Sequence, residues 1–159
     1  MKKLFRLKYL DELEDSSSDK KCAHIYSIQE TDQDEDEFSL FLKKYKSHKK
    51  VIQWIVERLK LMVNRRGINL SIFENESETG AISIYKLKET KNLRLYFIVV
   101  DCVTLIIGGG SVKNVTKWQD DEKLTQIINR IKIISKFIDE NNIKIDKTNY
   151  SEFLIELDN

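Results

Sequence analysis

The chain has 159 residues, 41% of them hydrophobic and 33% charged, with a formal net charge of +1. That length suits one domain with its own core, and the composition is ordinary for a soluble globular chain. No apolar run reaches the roughly 20 residues of a membrane helix. The opening "MKKLFRLKYLDELED" is too interrupted by charge for a secretion signal. The two cysteines, Cys22 and Cys102, form no CxxC pair, so a reduced, cytoplasmic protein is expected.

The near-neutral total hides an uneven distribution. Residues 1–37 hold six lysines and arginines against eleven acids, a net of −5. Residues 43–66 hold nine against one, a net of +8, and residues 84–118 hold six against two, a net of +4. Basic blocks of this size suit an anionic partner such as nucleic acid, although a charge run also serves as a solvated face.

In chain order, "KLFRLKYL" has the look of a short strand, and the serine-rich, acidic "DELEDSSSDKK" reads as a flexible linker. "CAHIYSIQ" alternates and predicts a strand. Phe38, Phe41, Leu42 and Tyr45 then recur at helical spacing, behind acids that favour a helix start. A second helix is expected from about Ser47, with Ile52, Ile55, Val56, Leu59 and Met62 as its stripe and Gly67 as its stop. The short link predicts an antiparallel helical hairpin.

Beyond Gly67 the period becomes strand-like. "INLSIF", "AISIYKL", "LRLYFIVV" and "VTLIIG" predict four strands with close, antiparallel connections. Leu124, Ile127, Ile128, Ile131, Ile134 and Ile138 predict a long helix lying on the sheet, and "NYSEFLIEL" suggests one or two more helical turns. The sum is an α+β fold: a helical hairpin and a C-terminal helix on an antiparallel sheet of about four to five strands. Its domain would cover 22–140, after a flexible acidic extension (1–21) and before a tail (141–159).

Gly108, Gly109 and Gly110 match neither a P-loop nor a dinucleotide fingerprint, and read as a strand terminator. His24 and His48 stand apart from the cysteines, so neither a metal site nor a nucleophilic triad is expected, and no cofactor is implied. What remains is a basic and aromatic set on the sheet. Arg94 and Tyr96 share a face of one strand, Lys86 and Lys88 share a face of the strand before it, and Lys113, Lys117 and Trp118 follow the last strand. Such residues suit single-stranded RNA: arginine grips a phosphate, rings stack bases and lysines neutralise charge. They equally suit a plainer arrangement, in which Tyr96 is core and the lysines guard sheet edges.

The segment "GAISIYKLKETKNLRLYFIVVDCVTLIIGGGSVKN" resembles the central sheet of the RelE/HigB toxin superfamily of bacterial toxin–antitoxin systems. "LRLYF" is similar to its arginine strand, "VTLIIGG" to the next strand and "SVKNVTK" to its lysine loop, and the order of the flanking helices also agrees. The resemblance covers roughly residues 22–139. It implies cleavage of messenger RNA on the ribosome, by attack of a 2′-hydroxyl on the adjacent phosphate. Arg94 would clamp the phosphate, Lys113 and Lys117 would stabilise charge, and Tyr96 would stack or orient. Lys86, Lys88 and Trp118, with Lys49, Lys50, Arg65 and Arg66 of the helical hairpin, would contact RNA. The implied partner is an antitoxin, of helix-turn-helix type, in the cytoplasm and away from membranes. The alternative is a binding protein without catalysis on the same fold, either a gyrase-inhibiting relative or an inactive adaptor. The acidic linker could itself fold over the basic surface as a shield.

Overall fold

A computed structural model of the protein describes residues 2–16, 21–75, 84–87, 92–113, 120–142, 145 and 152–156. The elements in chain order are β1 (Lys2–Tyr9), β2 (His24–Glu30), α1 (Glu37–Lys44), α2 (Lys49–Leu61), β3 (Phe73–Asn75), β4 (Ile84–Leu87), β5 (Leu93–Val99), β6 (Thr104–Val112), α3 (Glu122–Glu140) and β7 (Glu152–Glu156). The fold is α+β, and the seven strands among the described residues form one sheet in the order β3-β4-β5-β6-β2-β1-β7.

The sheet is larger and more mixed than the sequence suggests. Strands β3 to β6 form the expected antiparallel meander, but β6 then pairs with β2 in parallel, from His24 opposite Thr104 to Ser27 opposite Ile107. Strand β1 is not part of a loose extension, because it lies inside the sheet between β2 and β7. After it, Asp11–Leu13 forms a 3-10 turn with Leu13 buried. Of the expected linker, only 17–20 fall outside the described residues. The tail forms strand β7 rather than helical turns, since β1 offers it an edge to pair with. "INLSIF" is a strand only from Phe73, because Asn69 caps a 3-10 turn at Leu70–Ile72 by accepting from Ser71 N.

Alternation along the strands sorts the core into two layers. On one face Phe5, Leu7, Tyr26, Ile28, Tyr96, Ile98 and Ile106 meet the α3 stripe of Leu124, Ile128, Ile131, Ile134 and Ile138. On the other, Ile25, Leu93, Leu95, Phe97, Leu105 and Ile107 meet α1 and α2 through Phe38, Phe41, Ile55 and Leu59. The helices therefore cover both faces. α1 and α2 do not pair chiefly with each other as a hairpin, since α1 packs on β6 and β2. Full burial of such side chains stabilises the fold by about 1.5–3 kcal/mol each.

Local chemistry sets the helix ends. Asp36 caps α1, accepting from Phe38 N and Ser39 N. α2 begins one residue later than Ser47 would place it: His48 is its N-cap and makes no capping bond with its side chain. It runs into a π-helical turn, Met62–Arg66, and stops at Gly67 with φ +71°.

The three glycines do not end their strand. β6 continues through them to Val112, with a register shift against β5 between Tyr96 and Phe97 that marks a β-bulge. Their missing side chains let both helix layers press on the sheet. A Cβ on Gly108 would lie 2.3 Å from Ile131 Cγ1 of α3, and one on Gly110 would lie 2.7 Å from the Phe41 ring of α1.

Candidate functional site

The parallel strands β2 and β6 stay together for four residue pairs and then separate. After Ser27, β2 pairs on with β1 alone, while β6 beyond Ile107 pairs on with β5 alone. The chain leaves β2 into α1 on one face and, further on, leaves β6 into α3 on the opposite face. Crevices at the carboxyl ends of such diverging parallel strands are where open sheets commonly bind ligands.

The separation leaves the edge of β6 that faces β2 without a described strand partner over residues 108–112. Arg130 of α3 donates from Nη2 to Gly108 O at 2.9 Å, and Val112 N donates to Tyr45 Oη at 3.4 Å. Tyr45 Oη also lies 3.1 Å from Ser111 Oγ. Peptide groups in a strand alternate in direction, so Gly110, two residues before Val112, turns its N–H and C=O to the same open side. Beside it lies a cavity of about 240 Å³, lined by Leu40, Lys44, Lys123, Gln126, Ile127 and Arg130 among others.

Its floor is charged. Arg130 Nη1 is 3.1 Å from Glu37 and 3.8 Å from Glu30, with all three side chains largely buried. Two carboxylates face one guanidinium in a poorly solvated place, and burial raises the Glu37 carboxyl above its ordinary range against the opposing pull of Arg130. Asp36, the preceding residue, goes the other way. Its burial opposes ionisation, but hydrogen bonds from Ser27 and Ser39 and the charge of Lys8 hold its carboxyl below the usual value.

The residues singled out by sequence fall into separate places. Arg94 and Lys113 do come together at this end of the sheet, for Arg94 pairs with Ser111 and Lys113 N donates to Asn92 O at 2.6 Å. Arg94 Nε is buried and meets no hydrogen-bond partner among the described residues. Tyr96 is fully buried beneath α3, with no ring face for a base to stack on. Lys86 stands in β4 opposite Tyr96, whereas Lys88, Lys117 and Trp118 lie outside the described residues.

The basic helical block is divided between two ends. Exposed Lys49 and Lys50 open α2 close to Tyr45, because His48 N donates to Tyr45 O and the two rings touch. Exposed Arg65 and Arg66 close it about 20 Å away, at 1.5 Å per residue over 13 residues. There Cys22 N donates to Val63 O, at the start of β2. Lys44 and Lys123, which the sequence reading passed over, join Arg94, Lys113, Lys49 and Lys50 at the crevice end. Asp120 and Glu122 are exposed at the nearby start of α3, and Asp121 is occupied as its cap.

Glu37 and Arg130 were also missed. One signal existed: Arg130 falls between Ile127 and Ile134 on the apolar side of α3, where a charge needs a partner. His24 sits beside Tyr9, its Nδ1 3.1 Å from Tyr9 Oη, in a structural contact. Among the described residues there is no cluster that could hold a metal ion and no helix long and apolar enough to cross a membrane. Compared with protein-family models, with curated proteins and with solved structures, the chain matches none.

Proposed function

We propose that this protein is the toxin of a bacterial type II toxin–antitoxin pair, acting in the cytoplasm as a ribosome-dependent endoribonuclease on messenger RNA. The observation that carries the reading is the gathering of cations at one end of the sheet. Lys44 of α1 and Lys123 of α3 line the cavity, Lys49 and Lys50 open α2 close to Tyr45, and Arg94 and Lys113 stand at the paired ends of β5 and β6. A phosphate backbone is the partner such a rim suits. Arg94 would supply the bidentate grip, and Lys113 would stabilise the charge that builds as the 2′-hydroxyl attacks phosphorus. A helix-turn-helix antitoxin would complete the pair.

Burial of Tyr96 favours a second reading, a binding protein without catalysis on the same fold, of the gyrase-inhibiting or adaptor kind. With Tyr96 buried, the described aromatic hydroxyl nearest to Arg94 and Lys113 is that of Tyr45, which is engaged with Ser111 Oγ and Val112 N. Induced expression separates the two. The nuclease arrests growth and leaves transcripts cut within coding regions, and Arg94→Ala relieves both. Intact transcripts with inhibited supercoiling select the gyrase reading. Normal growth with folded protein and unaltered transcripts removes the nuclease reading.

A further inference from the structure

We infer that the crevice between β2 and β6 is a pocket for a single RNA base, read by the peptide edge of Gly110. This rests on the RNA reading above and adds to it a place where a single base is held. The edge of β6 offers three outward peptide positions over five residues. The helices occupy the first through Arg130 on Gly108 O and the last through Tyr45 on Val112 N. The middle one, at Gly110, faces the cavity with one donor and one acceptor on the same side. A base edge that pairs an acceptor with an adjacent donor, as every RNA base offers, complements that arrangement.

The surroundings agree in size and chemistry. At about 240 Å³ the cavity falls below the roughly 300–1,000 Å³ of sites for drug-sized ligands, so it takes a flat ring rather than a whole nucleotide. Leu40 and Ile127 offer apolar walls from α1 and α3, as extruded bases require. Lys44 and Lys123 stand in the lining, where the phosphates flanking an inserted base would pass. Gly110 cannot carry a side chain into this space, since a Cβ would lie 2.4 Å from Arg94 O. The reading element is therefore backbone.

The peptide cannot be mutated away, so the test changes the ligand. Short single-stranded RNAs of A, C, G or U, and an abasic ribose-phosphate oligomer of equal length, are titrated into the full chain at fixed salt. Base-bearing oligomers should bind at least about tenfold tighter than the abasic one, the range of one well-held base, and should move the Gly110 amide resonance. Gln126→Ala should narrow that gap, while Lys123→Ala should weaken all oligomers alike. Equal affinity for every oligomer, abasic included, overturns the pocket and leaves the RNA reading standing. Failure of every oligomer to bind also overturns the pocket, while the nuclease reading stands or falls on induced expression. If N-acetyl-dialanine moves the Gly110 resonance and the oligomers do not, the edge reads a peptide terminus and the inference is wrong.

Discussion

The two ends of the β2/β6 pair are built from the same strands and closed in different ways. At the amino end backbone meets backbone: His24 N donates to Val103 O, Cys22 N to Val63 O and Ile68 N to Cys102 O. Asn64 adds a buried clasp there, donating to Leu13 O and Lys60 O and accepting from Asp15 N. At the carboxyl end the strands separate, and two long side chains, Arg130 and Tyr45, reach across the gap instead. A closed end of this kind serves stability, and an end held by side chains leaves room for a ligand. Damage to the first should cost folding and spare binding, whereas changes at the second should act on binding.

The largest expected effect comes from removing residues 1–20. An acidic shield would predict stronger RNA binding after this deletion. The structure predicts loss of the fold, because β1 is an interior strand and carries Phe5, Leu7 and Tyr9 into the α3 layer. Circular dichroism and a missing cooperative unfolding transition would report it. A folded, tighter-binding truncation would revive the shield.

Gly110→Ala comes next, at the carboxyl end. Its Cβ would meet Arg94 O at 2.4 Å, a backbone atom that cannot yield without moving β5, so about 3 kcal/mol is expected. Gly108→Ala meets the Ile131 side chain rather than backbone and should cost about 1–2 kcal/mol. Urea midpoints measure both, and equal costs would show that the strand edge is softer than its packing implies.

The glycines also show how far the sequence could be read. Periodicity placed α1, α2 and α3, because each buries one stripe, and short apolar runs bounded by turn residues placed the β4 to β6 strands. It could not tell a strand terminator from a bulge. That difference lies in what packs above and below Gly108 and Gly110, namely Ile131 and Phe41 from distant parts of the chain. The same limit explains the site. Arg94 and Lys113 are close in sequence to one hairpin and were found together, whereas Glu37, Lys44, Lys123 and Arg130 meet only through the parallel pairing of β2 with β6. Tyr96 was legible as sharing a face with Arg94, but which layer covers that face is a tertiary fact.

Asn64→Ala tests the closed end. It leaves Leu13 O and Asp15 N without their side-chain partner in a buried place, at a cost of about 2 kcal/mol. RNA affinity of the folded fraction should not change, because Arg65 and Arg66 nearby lie far from the crevice rim. A parallel loss of affinity would mean that the two ends are coupled through α2 and are not independent.

The smallest effect is the most diagnostic, because adjacent carboxyls at the start of α1 should respond to pH in opposite directions. Asp36 titrates below its ordinary value near 3.8 in the folded protein, so its contribution is complete above that value and is lost as pH falls through the lower, folded one. Glu37 titrates above its ordinary value near 4.5, so the folded state holds a proton there that the unfolded chain releases. Its contribution is greatest below 4.5 and declines as pH rises through the higher, folded value. Asp36→Asn keeps a capping oxygen while removing the charge, and should flatten the acid side of the stability curve. Glu37→Gln keeps an acceptor for Arg130 and should remove the decline on the other side, by about one proton's slope at most. Urea midpoints from pH 3 to about 8 separate the two limbs. If Glu37→Gln leaves the upper limb unchanged, Glu37 is ionised throughout, and the carboxyl end of the β2/β6 pair is wetter than its buried geometry implies.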